Sequence, residues 1–485
     1  MDTIVLISYF ISLSILFIFG LHGFLLLYYH RKYKDVGFNS DKEFIEKPLV
    51  TIQLPLYNEL YVVERLIDKV CEIDYPKDKL EIQVLDDSTD ETIAVVAAVV
   101  QKKQNEGFNI EHIRRNNREG FKAGALKEGL KNAKGEYVAI FDADFIPHSD
   151  FLNKTLKFFA DEKVGMVQTR WEHLNGDHSL ITRAQALALD GHFVIEQTVR
   201  NKAGFFINFN GTGGVWRKSC IEAAGNWHAD TLTEDLDLSY RAQLIGWKFV
   251  FLKDFTSPAE LPSEINALKS QQFRWTKGAI ETAKKILPLV WNSDVPLRIK
   301  LYSSFHLTNN IVFPFILLAA ILNVPLIFIK NSGGHEVYFA FMSIFVLAFI
   351  SSFLFYLYSQ KDIHPDWRKR IVLFPLFMAG SMGFALNNSR AVFEGLLNRK
   401  SEFVRTPKFK LVSEKDTWVG KKYLSKKIGF SVIMELILAF YCLVGVVSSI
   451  YFMELATLPF QLLFFVGFSF VSITSIKHAF SKSYK

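Results

Sequence analysis

The short apolar run Val138–Phe141 ends on two carboxylates, Asp142 and Asp144, with one small residue between them. A second apolar run, Glu81–Leu85, stops as abruptly on Asp86 and Asp87. Clustered carboxylates repel, and burying them is costly unless a cation neutralises them. Mg²⁺ or Mn²⁺ takes oxygen ligands and keeps positions open for substrate phosphates. The D-x-D step therefore reads as a metal site with Asp142 and Asp144 as ligands. A strand-to-helix turn with an aspartate cap would give the same letters. The acidic pair at the end of a second strand weighs towards the metal.

The elements that would carry these residues alternate. Leu49–Leu54 reads as a buried strand, followed by a helical pattern over Glu59–Glu72 with Val62, Val63, Leu66, Ile67 and Val70 on one face. A strand over Glu81–Leu85, a helix over Thr92–Lys103, a strand over Ile110–Ile113 and a helix over Phe121–Asn132 lead to the strand Tyr137–Phe141. This order predicts an α/β domain with a mainly parallel sheet and helices on both faces. Ligands of such sheets lie beyond the carboxyl ends of the strands, so the four aspartates should converge on one crevice. The chain has neither a G-x-x-x-x-G-K-[ST] loop nor a G-x-G-x-x-G loop after a strand, which disfavours P-loop and dinucleotide-binding enzymes.

Further along stand TLTEDLDLSYRAQLIGW (Thr231–Trp247) and QQFRW (Gln271–Trp275). With DDSTD (Asp86–Asp90) and the D-x-D, they resemble the membrane-embedded family 2 glycosyltransferases, and among these the cellulose synthase superfamily. QVLDDSTDET, GFKAGAL, VQTRW and FNGTGGVWR are most similar to its cellulose-synthase-like branch, which makes mannan or glucan backbones. The likeness runs from about Leu49 to Gly278. It implies a GT-A-like fold inserted in a bundle of transmembrane helices, and it implies roles. Asp86 and Asp87 would hold the nucleotide's base and ribose, Asp142 and Asp144 the metal and diphosphate, and Lys122 would add positive charge near the donor. Asp235 would be the general base. Gln271 and Arg274 would serve the donor, and Trp275, Glu234, Trp171 and Asn210 the acceptor.

The chemistry is consistent with those roles. A leaving nucleoside diphosphate gains negative charge, which a metal and cations stabilise. The attacking hydroxyl loses a proton, which needs a carboxylate within reach. One carboxylate acting as base implies direct displacement with inversion. Other readings of the same residues stay open: TEDLDLS also reads as a helix start capped by Thr231 or Thr233, with Asp237 capping or solvated in the same turn. The helix expected over Ser263–Lys285 also reads as an interfacial helix with an anchoring Trp and a snorkelling Arg. FNGT and Trp171 also read as a tight turn and a core aromatic.

Composition places the domain in a membrane. Half of the 485 residues are hydrophobic, aromatics make up 15%, and the net charge is +7. Such a charge fits cytoplasmic segments facing anionic lipid, and no nucleic-acid partner is expected. The scattered Cys71, Cys220 and Cys442 support neither disulfides nor a zinc site. Apolar runs at Ile4–Tyr29, Leu307–Ile329, Tyr338–Tyr358, Ile428–Met453 and Leu458–Ile476 are long enough to span. His30, Arg31, Lys32 and Lys34 follow the first, so that end is expected in the cytoplasm. Ile371–Ala385 is short and interrupted by Pro375, Gly380 and Gly383. If it crossed, the basic loop Arg390–Lys427 would lie outside, so a re-entrant or interfacial segment is expected instead. Glu435, inside an apolar run, must face protein or a wet cavity.

The basic loop contains EFVRTPK (Glu402–Lys408), similar to the family's gating loop at Phe403, Thr406 and Lys408 but with Arg405 where Val is usual. A plain membrane-surface loop competes with that reading. The expected organisation is a spanning helix (1–30), a cytoplasmic transferase domain (31–300), two spans and a re-entrant segment (301–389), a gating-like loop (390–427) and two final spans (428–485). The expected protein is an inverting, processive hexosyltransferase of a cytoplasmic membrane, the inner membrane if bacterial. It would extend a polysaccharide from a UDP- or GDP-hexose and translocate it. A non-processive enzyme with a lipid acceptor and a catalytically degenerate transporter or receptor are the rivals.

Overall fold

The computed structural model of the chain describes residues 2–33, 36–37, 46–401, 403–413, 415–424 and 428–481. Lys34 of the basic flank, Glu402 of the gating-like stretch and Lys426 and Lys427 of the basic loop fall outside them.

Among the described residues, seven strands form one sheet in the order β3-β2-β1-β4-β6-β5-β7. They are β1 (Val50–Leu56), β2 (Leu80–Asp86), β3 (Ile110–Arg114), β4 (Tyr137–Ile140), β5 (Val164–His173), β6 (Gly214–Arg217) and β7 (Lys248–Ala259). Only β6 runs against its neighbours; the other six share one direction. Strands covered on both faces read as continuous apolar runs rather than alternating ones. Val50, Ile52 and Leu54 of β1 and Val138, Ala139 and Ile140 of β4 are accordingly fully buried. The six co-directional strands open their carboxyl ends on one side, and the cleft lies there.

Two departures from the expected elements matter for the cleft. The helix after β1 begins at Val63, four residues later than its periodicity indicates. Asn58 takes a left-handed φ of 55°, its N–H donates to Ser88 Oγ at 2.7 Å, and its side-chain oxygen accepts from Thr89 N at 2.8 Å. These bonds hold residues 57–61 as a loop, which leaves Glu59 free to face the cleft. The second departure is β6, whose four residues GVWR are too few to show a period.

Among the described residues, five helices are long and apolar enough to cross a membrane: Asp2–Tyr33, Leu297–Ser332, Glu336–Ile363, Phe430–Tyr451 and Leu458–Ala479. The interrupted segment forms the ten-residue helix Phe374–Gly383 and then Ala385–Leu396. Ten residues reach about 15 Å, half of the roughly 30 Å apolar core of a bilayer. Phe374–Gly383 lies against Leu458–Ala479 at Gly383 and Gly467, where a Cβ on Gly383 would sit 2.3 Å from the Gly467 carbonyl oxygen. Beside the spans runs the 28-residue helix Ile265–Asn292, capped by the Glu264 carboxylate accepting from Asn266 N and Ala267 N at 2.9 and 2.7 Å. Lys269 on this helix reaches Glu435 of a spanning helix at 2.7 Å, both buried. The intramembrane carboxylate therefore pairs within the bundle.

Candidate active site

One cleft collects residues from the ends of five strands: Glu59 after β1, Asp87 after β2, Asp142 and Asp144 after β4, His173 at the end of β5 and Glu260 after β7. The Thr231–Asp235 turn, the QxxRW face of helix Ile265–Asn292 and the stretch 403–408 close it. Seven carboxylates and five Lys or Arg side chains line it.

Asp142 is placed by the FNGT turn, because its backbone N–H donates to Thr212 Oγ1 at 2.8 Å. Lys122, in the first turn of the helix Phe121–Asn132, reaches Asp142 Oδ1 at 2.5 Å and the Gly211 carbonyl at 2.8 Å. A Cβ built on Gly211, whose φ is +80°, would lie 3.1 Å from Asp235 Oδ2 and 3.4 Å from Lys122 Nζ. Lys122, Asp142 and Asp235 thus meet around one glycine. Burial raises the Asp142 carboxyl above its ordinary range, against the opposing charge of Lys122.

Asp235 and Glu234 open the helix Glu234–Leu244. Burial first and the adjacent Glu234 second push the Asp235 carboxyl up to about 7, with Lys122 opposing. Thr233 stands at the cap position, but its hydroxyl caps nothing and is bonded to Thr282 Oγ1 at 3.0 Å. Leu232 N donates to Glu281 Oε2 at 3.0 Å. Gly278 permits this docking, since a Cβ there would come within 2.7 Å of the Thr233 methyl. The capping-box reading is thereby corrected: Thr233 and Leu232 pin the turn to helix Ile265–Asn292. Asp237 is corrected too. It is wholly buried, with Arg241 at 2.7 Å and Lys285 at 2.9 Å. Among the described residues only His228, Asp230 and Asp237 form a cluster of three metal-ligating types. Lys285 Nζ lies within 3.0 Å of all three and fills it.

The expected donor residues separate into two groups. Asp87, Lys122, Asp142, Asp144, Gln271 and Arg274 line the cleft. Asp86 does not: its buried carboxylate accepts from Ser88 N at 2.9 Å and meets His112 Nε2 at 2.8 Å. It shapes the turn that presents Asp87, which Arg115 grips through both carboxylate oxygens at 2.9 and 2.5 Å. Of the acceptor set, Trp275, Glu234, Trp171 and Asn210 all line the cleft. The Asn210 amide is already engaged, accepting from Gln197 Nε2 at 2.7 Å and pairing with His192 Nε2 at 3.0 Å, so it builds the wall.

The gating-like stretch lies over the opening. Phe403 stacks on Phe121 at 5.5 Å and under the Arg274 guanidinium at 4.6 Å, while Arg274 donates to the Val404 carbonyl at 2.8 Å. Lys408 reaches Asp144 at 2.5 Å and the Glu260 carbonyl at 2.6 Å. Thr406 is buried with its hydroxyl unpaired. Arg405, where the family pattern has Val, meets Glu59 at 3.2 Å and stacks on Tyr423 at 3.9 Å. Glu59, His173 and Glu260 escaped the sequence reading. The rule that picked out Asp87 and Asp142, polar residues at strand carboxyl ends, applies equally to them.

Asp142 and Asp144 fit a divalent ion by chemistry: adjacent carboxylates, each neutralised here by one lysine ammonium, in a cleft whose carboxylates outnumber its cations. Two carboxylates leave a Mg²⁺- or Mn²⁺-type ion positions for phosphate oxygens.

Residues 48–278 match the family described as "Glycosyltransferase like family 2". The probable glucomannan 4-beta-mannosyltransferase 10 of Arabidopsis thaliana is 44% identical over 292 residues, 58% of this chain and 53% of that protein. Glucomannan 4-beta-mannosyltransferase 1 of Oryza sativa subsp. japonica is 44% identical over 273 residues, 55% and 52% respectively. The chain thus spans about half the length of these relatives. Glucomannan 4-beta-mannosyltransferase 9 of Arabidopsis thaliana is 36% identical over 416 residues, 82% of this chain and 74% of that protein. Among solved structures, a mannosyltransferase from Pyrobaculum calidifontis in complex with GDP-Man and Mn²⁺ superposes with a TM-score of 0.56 at 20% identity. It covers 80% of this chain and 100% of that one, a likeness of fold.

Proposed function

The chain belongs to glycosyltransferase family 2, in its cellulose synthase-like branch, and we propose that it transfers mannosyl units from GDP-mannose onto a growing β-1,4-linked mannan or glucomannan. The observation that carries this is the convergence of Lys122, Asp142 and Asp235 around Gly211, in a chain whose relatives at 36–44% identity are glucomannan mannosyltransferases.

The nucleotide occupies the side of the cleft lined by Asp87 and Arg118, and the diphosphate lies between Lys122 and Arg274. Asp235 takes the proton of the acceptor hydroxyl. That oxygen attacks C1 of the donor sugar from the face opposite the diphosphate. The C1–O bond breaks, and its electron pair goes to the diphosphate, where Lys122 and Arg274 meet the charge. One displacement inverts the anomeric centre. Asp142 and Asp144 would hold a Mg²⁺ or Mn²⁺ ion, which supplies further neutralisation of the leaving group.

The raised position of Asp235 suits a base that must gain a proton during reaction. The transferase domain faces the cytoplasm, on the side of His30, Arg31 and Lys32. Helix Phe374–Gly383 re-enters rather than crosses, which leaves five spans and keeps the gating-like stretch with the cleft. Polymerisation is processive, with the product leaving along the spans.

Purified protein in lipid nanodiscs, given labelled GDP-mannose, UDP-glucose or GDP-glucose with Mn²⁺ or Mg²⁺, tests the reading. Long β-mannanase-sensitive product from GDP-mannose, abolished by chelator and restored by the ion, is expected. Product from UDP-glucose alone, or one sugar added to lipid, would overturn it.

A further inference from the structure

His173 closes β5 and lines the cleft two residues beyond Trp171, on the same side of the strand. Its Nε2 lies 3.1 Å from Asp190 Oδ1. The other oxygen, Asp190 Oδ2, takes Gln360 Nε2 at 2.9 Å and His364 Nε2 at 2.9 Å. Gln360 lies in the last turn of the span Glu336–Ile363, and His364 follows that span directly. Asp190 is buried at the end of helix Leu180–Asp190, and the next residue, Gly191, packs against Phe355 and Tyr356 of that span. Three donors converge on this carboxylate and hold it well below the usual range against the cost of burial.

An ionised Asp190 can only accept, so the His173 Nε2 proton points at it. In the neutral ring that leaves Nδ1 as an acceptor. Among the described residues Nδ1 has no hydrogen-bond partner, nor is it sealed from solvent. The nucleotide side of the cleft lies at β1 and β2, whereas His173 belongs to the β6-β5-β7 half and is tied to a spanning helix. It stands where an acceptor sugar would rest.

We propose that His173 is an acceptor-binding residue, its ring set by Asp190, and that its Nδ1 takes a hydrogen bond from a hydroxyl of the acceptor sugar. This rests on the glycosyl-transfer reading and assigns a residue to its acceptor side. A lone pair fixed in space demands a hydroxyl of one configuration, so His173 also discriminates between acceptors that differ at one carbon.

Steady-state kinetics with GDP-mannose and either β-1,4-mannotetraose or cellotetraose test it. His173→Gln keeps a donor for Asp190 but has no atom in place of Nδ1. It is expected to raise KM for its preferred tetraose about tenfold, the worth of one hydrogen bond, to narrow the preference between tetraoses, and to leave KM for GDP-mannose within twofold. His173→Asn places a carbonyl oxygen near the Nδ1 position and should recover part of the acceptor affinity. An unchanged acceptor KM in His173→Gln overturns the proposal. So does a parallel change in both KM values and in melting temperature for both variants, which marks a merely structural residue. Wild-type protein that transfers mannose to neither tetraose nor to endogenous polymer refutes the underlying reading instead, and the inference falls with it.

Discussion

Two aspartates two residues apart on one helix, Asp235 and Asp237, sit in acidic clusters of opposite character. Asp237 faces inward, where it is paired with Arg241 one turn along its own helix and with Lys285 of the helix packed beside it. Asp235 faces the cleft beside Glu234, and the cations that act on it, Lys122 and Arg274, are shared with Asp142 and with the carbonyl of Val404 in the stretch 403–408. A cluster that exists to hold a fold carries its own counter-ions. One that exists to receive a ligand leaves charge unbalanced or balanced by parts that can withdraw.

The sharpest break of this comparison is Asp235→Asn. Loss of the base should lower kcat by about 10²- to 10⁴-fold with an unchanged melting temperature, read from product formation and from unfolding in detergent. Asp237→Ala should do the converse. It leaves Arg241 and Lys285 without their shared partner, at a cost of about 3–5 kcal/mol for breaking a buried ion pair. Denaturant unfolding should register this, while turnover per folded molecule stays near wild type.

A pH profile comes next in size. The Asp235 carboxyl is raised to about 7, and only its ionised form accepts a proton. kcat/KM should therefore fall about tenfold per pH unit below that point and level off above it. A profile flat from pH 5 to 8 would remove Asp235 from the role. Lys408→Ala frees Asp144 from a largely buried ion pair, so the metal concentration for half-maximal activity should drop by about tenfold, the worth of one charge-assisted hydrogen bond. The smallest effect is expected from Thr233→Val, which removes no cap but takes the partner from the buried Thr282 hydroxyl. Denaturant unfolding should show a loss of about 1 kcal/mol, the worth of that hydrogen bond.

The α/β order and the acidic strand ends were legible because a strand buried on both faces writes an uninterrupted apolar run, and its end is where polarity returns. Tyr137–Ile140 followed by Asp142 is such a case. Glu59 was hidden by the helical period of Val62, Val63, Leu66 and Ile67, which runs back over a loop that Asn58 and Ser88 hold in place. Asp86 shows a different obstacle: adjacent residues at a strand end point to opposite sides, and the letters do not say which of two aspartates faces the ligand. The network at Asp190 joins residues 173, 190, 360 and 364, and no local pattern connects partners so far apart. The same holds for the pairing of Arg405 with Glu59.

Helix Ile265–Asn292 touches the Asp235 turn at Gly278 and is pinned through Lys269 to Glu435 of a spanning helix. One rigid rod thus carries both the workbench and the anchor. Lipids with shorter or longer tails, which tilt or shift spans to match their thickness, should move Asp235 relative to the rest of the cleft. Acyl-chain length should tune turnover as directly as a change of side chain.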